Sequence, residues 1–519
     1  MASQVRLAEV IGALSIATDL AMAQPLEAAL ASCILSVRLA EAAGLDEATV
    51  ADCYWHALLR FVGCNADTYL IASLLGDEMA LRSDFATIDP GRQREVGAMV
   101  VKAVRRSHAG DSPLQVAVAV VRGLVGGAAI QKSFLGHCEV GQRLGERLGF
   151  GAGVIAALGQ LYARWDGKGV PATKGEAVPM PALVVGLAQD MVTFLRLDGT
   201  DAAVHIARDR RAKAYAPALA DAFCAAAPQL CSGLEGEQVW ETVLSYEPGP
   251  VRWLDDEGLD RAFAAMADFS DLKSPWFAGH ASRVSTRAAE AARQVGLSAA
   301  EVTTVRRAGL VHDLGNAAVP NTIWGATTEL RDDDRAAIHL HTYHVGRILR
   351  RPEALHEIAS VAAMHHERLD GSGSHRGVDG RSQPMAARVL AAAEVHAGLT
   401  EDRPHRAAWS ADGAAEHMRA EVVAGRLDGT AVEAVLGSGG PRTTGPRGRE
   451  GFSALTEREV QVLRLIARGL ATKQVARELG VSQKTADSHI QHIYAKARVS
   501  TRAGATLFAI ESGLFEAST

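Results

Sequence analysis

The sequence has 519 residues, 48% hydrophobic, 22% charged and only 5% aromatic, a balance that excludes a disordered chain and favours helical domains over β-rich ones. Its 54 Lys and Arg against 60 Asp and Glu leave a net charge of −6, which excludes a protein that coats nucleic acid along its whole length and leaves room for a local basic module. No run reaches the roughly 18 consecutive apolar residues of a membrane span.

The opening segment, residues 1–24, is broken by Thr18 and Asp19 and lacks a basic leader, so it reads as a helix and not as a signal peptide. The six cysteines (Cys33, Cys53, Cys64, Cys138, Cys224 and Cys231) form no CxxC pair and read as buried thiols of a reducing, cytoplasmic compartment. From the N-terminus to residue 436 the apolar residues mostly recur at i, i+3 and i+4, as in AEVTTVRRAGLVHDL, which predicts helix nearly throughout.

An internal repeat divides this region. GLDEATVADCYWHALLRFVGCNA (44–66) lies ungapped on GLSAAEVTTVRRAGLVHDLGNAA (296–318) at an offset of 252, and YARWDGKG (162–169) lies on HERLDGSG (366–373) at an offset of 204. With the break SYEPGP at 245–250, this predicts two tandem helical lobes of one ancestry, 1–250 and 251–436. Residues 437–451, GSGGPRTTGPRGREG, have six Gly, two Pro and no hydrophobic side chain, and read as a flexible linker to a small domain at 452–519.

The second lobe carries metal-ligand chemistry in order: His280, the pair His312-Asp313, His341, the pair His365-His366, and Glu394. Imidazoles and carboxylates are the donors that Mn, Fe or Zn accept. Neighbours on a helix point about 100° apart, so each adjacent pair, read as helical, straddles a helix edge and suits two metals, or one metal and a general base. Two metals about 3.5–4 Å apart activate water and neutralise a phosphate oxygen.

GH (279–280), HDLG (312–315), HHERLDGSG (365–373) and QPMAARVLAAAEVHAGLTEDRP (383–404), preceded by DLKSPWFAGH (271–280), resemble the HD-GYP branch of the HD phosphohydrolases over residues 255–437. The resemblance implies an all-helical fold, a bi- or trinuclear iron or manganese site and hydrolysis of a phosphodiester such as cyclic di-GMP. Carried over position by position, His280, His312, Asp313, His341, His365, His366 and Glu394 match metal ligands, with His312 and Asp313 at the catalytic step. Three positions depart from the family pattern. Asn316 stands for a lysine, Gly373-Ser374-His375 for the GYP tripeptide and Glu394 for an aspartate; His375 and Arg376 offer a replacement positive charge.

In the first lobe the same alignment gives Ala28, Arg60-Phe61 and Leu161-Tyr162, leaving His137 and Asp190 in ligand positions. Two ligands do not hold a catalytic cluster, so this lobe reads as a metal-free scaffold, with a ligand-sensing or dimerising lobe as the alternative.

The tail has nine Lys/Arg and six Asp/Glu, a local +3 on a −9 body. Thr456 and Glu459 form a capping box for a first helix, ATKQVARELGV is a second, and Ser482 caps a polar-basic third: a helix-turn-helix whose last helix enters the major groove. LTEREVQVLRLIARGL and the following residues resemble the LuxR-type helix-turn-helix of bacterial regulators. That resemblance implies a four-helix domain on double-stranded DNA, used as a homodimer. It offers Lys473, Ser482, Lys484, Thr485, Ser488, His489, His492 and Lys496 as DNA contacts, and Leu507, Ile510 and Leu514 as a dimer face. The whole sequence thus predicts an all-α transcriptional regulator that binds DNA and senses or hydrolyses a cyclic dinucleotide or other phosphorylated ligand, with no membrane partner; the alternative is a metal-dependent phosphodiesterase with an accessory DNA-binding tail.

Overall fold

The computed structural model describes residues 5–125, 127–236, 238–438 and 455–515. Among the described residues helices dominate, and the strands are two short segments, β1 (Val5–Arg6) and β2 (Trp253–Leu254), paired antiparallel with Val5 opposite Leu254. The chain divides into two compact units, Gln4–Asp255 and Asp256 onward, and the C-terminal tail belongs to the second. The predicted linker lies, from residue 439, outside the described residues, as do tail residues 452–454.

The first unit runs α1 (Leu7–Ala21), α2 (Ala28–Ala42), α3 (Glu47–Leu59), α4 (Thr68–Leu75), α5 (Glu78–Phe85), α6 (Gln93–Ser107), α7 (Pro113–Val125), α8 (Gly127–Arg147), α9 (Ala152–Leu158), α10 (Met180–Asp209), α11 (Pro217–Leu230) and α12 (Val239–Ser245). Only α10, interrupted at Gly199, is long and apolar enough to cross a membrane among the described residues, and most of its apolar window is buried within this unit.

The second unit begins with α13 (Asp256–Asp271), α14 (His280–Gln294), α15 (Ala299–Val311), α16 (Asn321–Trp324), α17 (Asp332–His339), α18 (His341–Leu349), α19 (His356–Ala362), α20 (Met385–Thr400), α21 (Ala411–Val423) and α22 (Gly429–Gly437). Ser298 and Glu301 cap α15 reciprocally, which fixes where the helix carrying the His-Asp motif starts.

The repeat is structural as well as sequential. Helices α2 and α3 recur as α14 and α15 with both ends shifted by 252, and α9 recurs as α19 shifted by 204. The 48-residue difference between the offsets (252 − 204) falls where the first lobe inserts α4 to α7, which build a core of their own from Ile71, Leu75, Met99, Val100 and Val104. Gly63 and Gly315 are equivalent: a Cβ on either would stand 2.0 Å from the carbonyl oxygen of His137 or His341. Only glycine lets that turn lie against the next helix.

The tail is four helices, α23 (Glu457–Ala467), α24 (Thr472–Glu478), α25 (Gln483–Ala497) and α26 (Arg502–Glu511). The Thr456/Glu459 capping box forms as predicted, and the Ser482 hydroxyl accepts the Thr485 N–H at 3.0 Å to start α25. The proposed dimer face differs from expectation. Leu507, Ile510 and Leu514 are buried, because α26 packs on α23 and against α13 of the preceding lobe.

Candidate metal centre

Each ligand-type histidine is held by a helix end. His280 is the first residue of α14 and His341 the first of α18; His312 follows the last residue of α15. His365 and His366 sit in the turn after α19. The adjacent pairs are therefore not inside helices, as the sequence had suggested. Leaving the helix frees the backbone to aim both members of a pair inward.

Three of the rings share one device. Nδ1 of His312 faces the Gly309 carbonyl at 2.9 Å, that of His365 the Ala362 carbonyl at 2.6 Å, and that of His341 the Ile338 carbonyl, always three residues back. Helix C-termini leave carbonyls without intrahelical partners. A ring nitrogen facing a carbonyl must carry the proton, so in the neutral ring Nε2 is the lone pair, although on His312 that nitrogen faces Glu394 and holds a second proton until a cation displaces it.

Those lone pairs converge. His341 Nε2 and His365 Nε2 lie 2.9 Å apart, an arrangement of two acceptors that a cation would stabilise. Asp313 spans the site: Oδ1 lies 3.6 Å from Nε2 of both His341 and His365, and Oδ2 lies 3.5 Å from His280 Nε2 and 3.6 Å from His312 Nε2. Glu394 Oε2 lies 3.1 Å from His280 and 3.2 Å from His312. His366 joins His341 and His365 in one group of donors, and His280, His312 and Glu394 form another. All seven predicted ligands thus meet, in two subsites bridged by one carboxylate. The donor set fits a pair of divalent ions: buried, nitrogen-rich, and with lone pairs pre-aimed.

The electrostatics divide along the same line. Burial holds His341 and His365 below the ordinary imidazole range and pushes His366 down to about 3. Burial also opposes protonation of His280 and His312. Glu401 and Glu394 nevertheless hold His280 well up, and Asp313 and Glu394 raise His312. Glu394, despite burial, is held well below the carboxylate range by those two histidines.

Two carboxylates escaped the sequence reading. Glu401 accepts from His280 Nδ1 at 2.8 Å and is itself held by Arg283 at 2.7 Å and Arg403 at 3.2 Å. It lies seven residues after Glu394, just past the end of α20, and a spacing close to two helical turns was the available signal. Glu367, buried, accepts the backbone N–H groups of Arg376 and Val378 and so folds the 367–378 loop.

Beside the centre opens a cavity of about 670 Å³, walled by Trp276, Phe277 and Trp324 and lined by Arg335, Arg403 and Arg406. Asn316 also lines it, buried, with Oδ1 lacking a hydrogen-bond partner. The positive charge there comes from these arginines. His375 instead hydrogen-bonds Thr342 at 2.9 Å, and Arg376 is engaged through its backbone N–H.

In the first lobe Arg60 stands where His312 stands in the second, its guanidinium donating to the Leu161 carbonyl at 3.0 Å. His137 pairs with the Tyr162 hydroxyl at 3.0 Å, and Asp190 accepts from Arg210 and Tyr215. The retained ligand types are thus tied to other side chains.

On the tail, Lys473, Ser482, Lys484, Thr485, Ser488 and His492 are exposed and His489 is half-buried. Lys496 is exposed as well and has a partner within the chain. Its ammonium sits 2.7 Å from Glu459, and, against the effect of burial, it and the Thr456 cap hold that carboxyl down to about 2. Lys496 therefore braces α25 against α23.

Residues 264–431 match the HD domain model, and residues 453–509 match that of bacterial regulatory proteins of the luxR family. The chain carries an HD domain followed by a LuxR-type region. The chain is similar to the 3'3'-cGAMP-specific phosphodiesterase 3 of Vibrio cholerae, 27% identical over 411 residues, 78% of this chain and 89% of that one. The cyclic di-GMP phosphodiesterase response regulator RpfG of Xanthomonas campestris is 35% identical over 158 residues, 30% of this chain and 41% of its own. The LuxR-type tail is 42% identical over 60 residues to the nitrate/nitrite response regulator protein NarP of Escherichia coli, 12% of this chain and 28% of that one. A crystal structure of the V. cholerae cyclic GMP-AMP phosphodiesterase V-cGAP3 superposes with a TM-score of 0.58 at 24% identity, covering 84% of this chain and 98% of that one, and so shares the fold. The HD domain implies divalent-metal binding, and the clustered donors lie within it.

Proposed function

We propose that the HD lobe is a divalent-metal phosphodiesterase acting on a cyclic dinucleotide. In this reading the LuxR-type tail binds double-stranded DNA, so that the chain is a cytoplasmic transcriptional regulator that senses and turns over its own ligand. The observation that carries the proposal is Asp313, whose two oxygens face two separate histidine subsites. His280, His312 and Glu394 would hold one ion and His341, His365 and His366 the other, with Asp313 between them and iron or manganese the best match for this donor set. When bound, such a pair supplies Lewis acidity and a water of lowered pKa.

The protein's own residues do the rest. The Gly309, Ile338 and Ala362 carbonyls fix the tautomers of their histidines, and Glu401 fixes His280. The aromatic walls offer faces for nucleobases, and the cavity volume suits a nucleotide-sized ligand. Arg335, Arg403 and Arg406 supply charge for phosphate. The relatives named above, which act on 3'3'-cGAMP or cyclic di-GMP, support the substrate class.

A second reading, a sensor that binds without turnover, is favoured by Asn316, which puts a neutral amide where the family motif has a lysine. Incubating the Mn²⁺- or Fe²⁺-loaded chain with 3'3'-cGAMP and cyclic di-GMP separates the two. Turnover that falls at least about 100-fold in His312→Ala supports the phosphodiesterase. Binding without turnover supports the sensor, and absence of both rejects the two together.

A further inference from the structure

The metal centre does not end at its ligands. Glu401, which takes the His280 Nδ1 proton bond, is gripped by Arg283 through Nε at 2.8 Å. The same guanidinium points its Nη1 at two carbonyls: Ala278, at 3.1 Å, and Phe515, also at 3.1 Å. Phe515 belongs to the turn that closes the LuxR-type domain, just beyond α26. One arginine therefore touches both the carboxylate that orients a metal-type histidine and the end of the DNA-binding domain.

The surroundings fit a built contact. Phe515 and Leu514 are buried. Gly279, immediately before His280, has φ +73°, and a Cβ there would meet the Phe515 Cβ at 2.8 Å. This position needs glycine twice over, for its left-handed backbone and for the closeness of the tail. Arg468 at the end of α23 lies 3.9 Å from Asp402, next to Glu401, and α26 packs on α13. The α25 residues Lys484, Thr485, Ser488 and His492 stay exposed in this arrangement, so docking leaves that face open.

We infer that the Ser512–Phe515 turn is a docking element that seats the LuxR-type domain on the HD lobe, and that Arg283 is a positioning residue coupling this docking to the metal centre through Glu401 and His280. Seating the turn fixes Arg283, which fixes Glu401, which fixes the tautomer and direction of His280. Coupling between two sites is reciprocal, so metal binding strengthens docking by the factor by which docking strengthens metal binding. The inference rests on the reading of the histidine cluster as a metal centre and not on the identity of the substrate.

The test uses the full chain with a donor and an acceptor dye on Arg293→Cys and Glu478→Cys, exposed positions outside the contact, Cys224 being replaced by serine, and Mn²⁺ alone as the probe. High transfer efficiency is expected in the parent chain and a clear fall in Phe515→Asp. Arg283→Gln, which leaves the tail sequence intact, is the second variant should Phe515→Asp disturb the domain. Titration calorimetry should show Mn²⁺ bound at least about three-fold more weakly by Phe515→Asp, although that residue touches no ligand, and Mn²⁺ should raise the parent's transfer efficiency. Unchanged efficiency in both variants overturns the docking. Lost docking with Mn²⁺ affinity unchanged overturns the coupling. A chain that docks and binds Mn²⁺ but hydrolyses no cyclic dinucleotide refutes the phosphodiesterase reading and leaves this inference standing.

Discussion

Glu401 illustrates how a single residue sets the quality of the centre. A carboxylate behind a metal-type histidine fixes its ring and raises its basicity, and removing such a partner typically costs about 10–100-fold in metal affinity. Glu401→Gln should therefore weaken Mn²⁺ binding by roughly that factor in calorimetry, while the circular-dichroism spectrum stays unchanged. The acid–base balance gives a second expectation. His280 and His312 titrate above the ordinary imidazole value of about 6.5. The stability lent by their acidic partners is complete below about 6.5 and is lost as pH rises through the raised folded values. Metal must displace those protons, so Mn²⁺ affinity should climb with pH above about 6.5 and binding at pH 7 should release protons. Calorimetry in two buffers of different ionisation enthalpy reads this directly, and no released protons would contradict it. At Asn316 a restored charge should help. Asn316→Lys is expected to raise turnover of the preferred cyclic dinucleotide by about ten-fold, somewhat less than the effect of removing one transition-state donor.

At the scale of elements, the site is a set of helix ends. Three helix termini lend carbonyls, and α14 and α18 begin on ligand-type residues. The equivalent glycines of the two lobes offer a controlled comparison. Gly315→Ala and Gly63→Ala should each destabilise the fold by about 1–3 kcal/mol, as overpacking does. Only Gly315→Ala should also loosen metal binding, because the carbonyl it strikes belongs to His341. Denaturation midpoints alongside Mn²⁺ titrations check both halves, and equal metal affinity in the two variants would count against His341 as a ligand. Much of this level was legible beforehand. The capping residues Ser298, Thr456 and Ser482 act on neighbours three positions away, so their helix starts follow from local sequence. The placement of His312-Asp313 and His365-His366 at helix ends was not legible, since the periodic pattern runs through both pairs without a break.

For the whole molecule, the division of charge matters most: a −9 body and a +3 tail within one chain. DNA binding written in so small a domain should be strongly salt-dependent, and each phosphate-contacting lysine lost should lower the slope of log affinity against log salt by about one. Lys484→Ala is expected to do this in gel shifts over a salt series. Lys496→Ala should instead lower the melting temperature, since Lys496 pairs with Glu459. The reverse pattern would exchange their roles.

The sequence by itself determined the helical class, the tandem repeat, the order of the metal-type residues and the helix-turn-helix tail, because each is a local pattern of period, cap or spacing. Tertiary structure alone decided the rest. It showed that Asp313 faces two subsites, that Arg60 donates to the Leu161 carbonyl, and that Glu401 completes His280 across 121 positions of chain. It also placed the closing turn of the tail against Gly279 and Arg283. Contacts between residues so far apart depend on how helices pack, and no short-range pattern encodes packing.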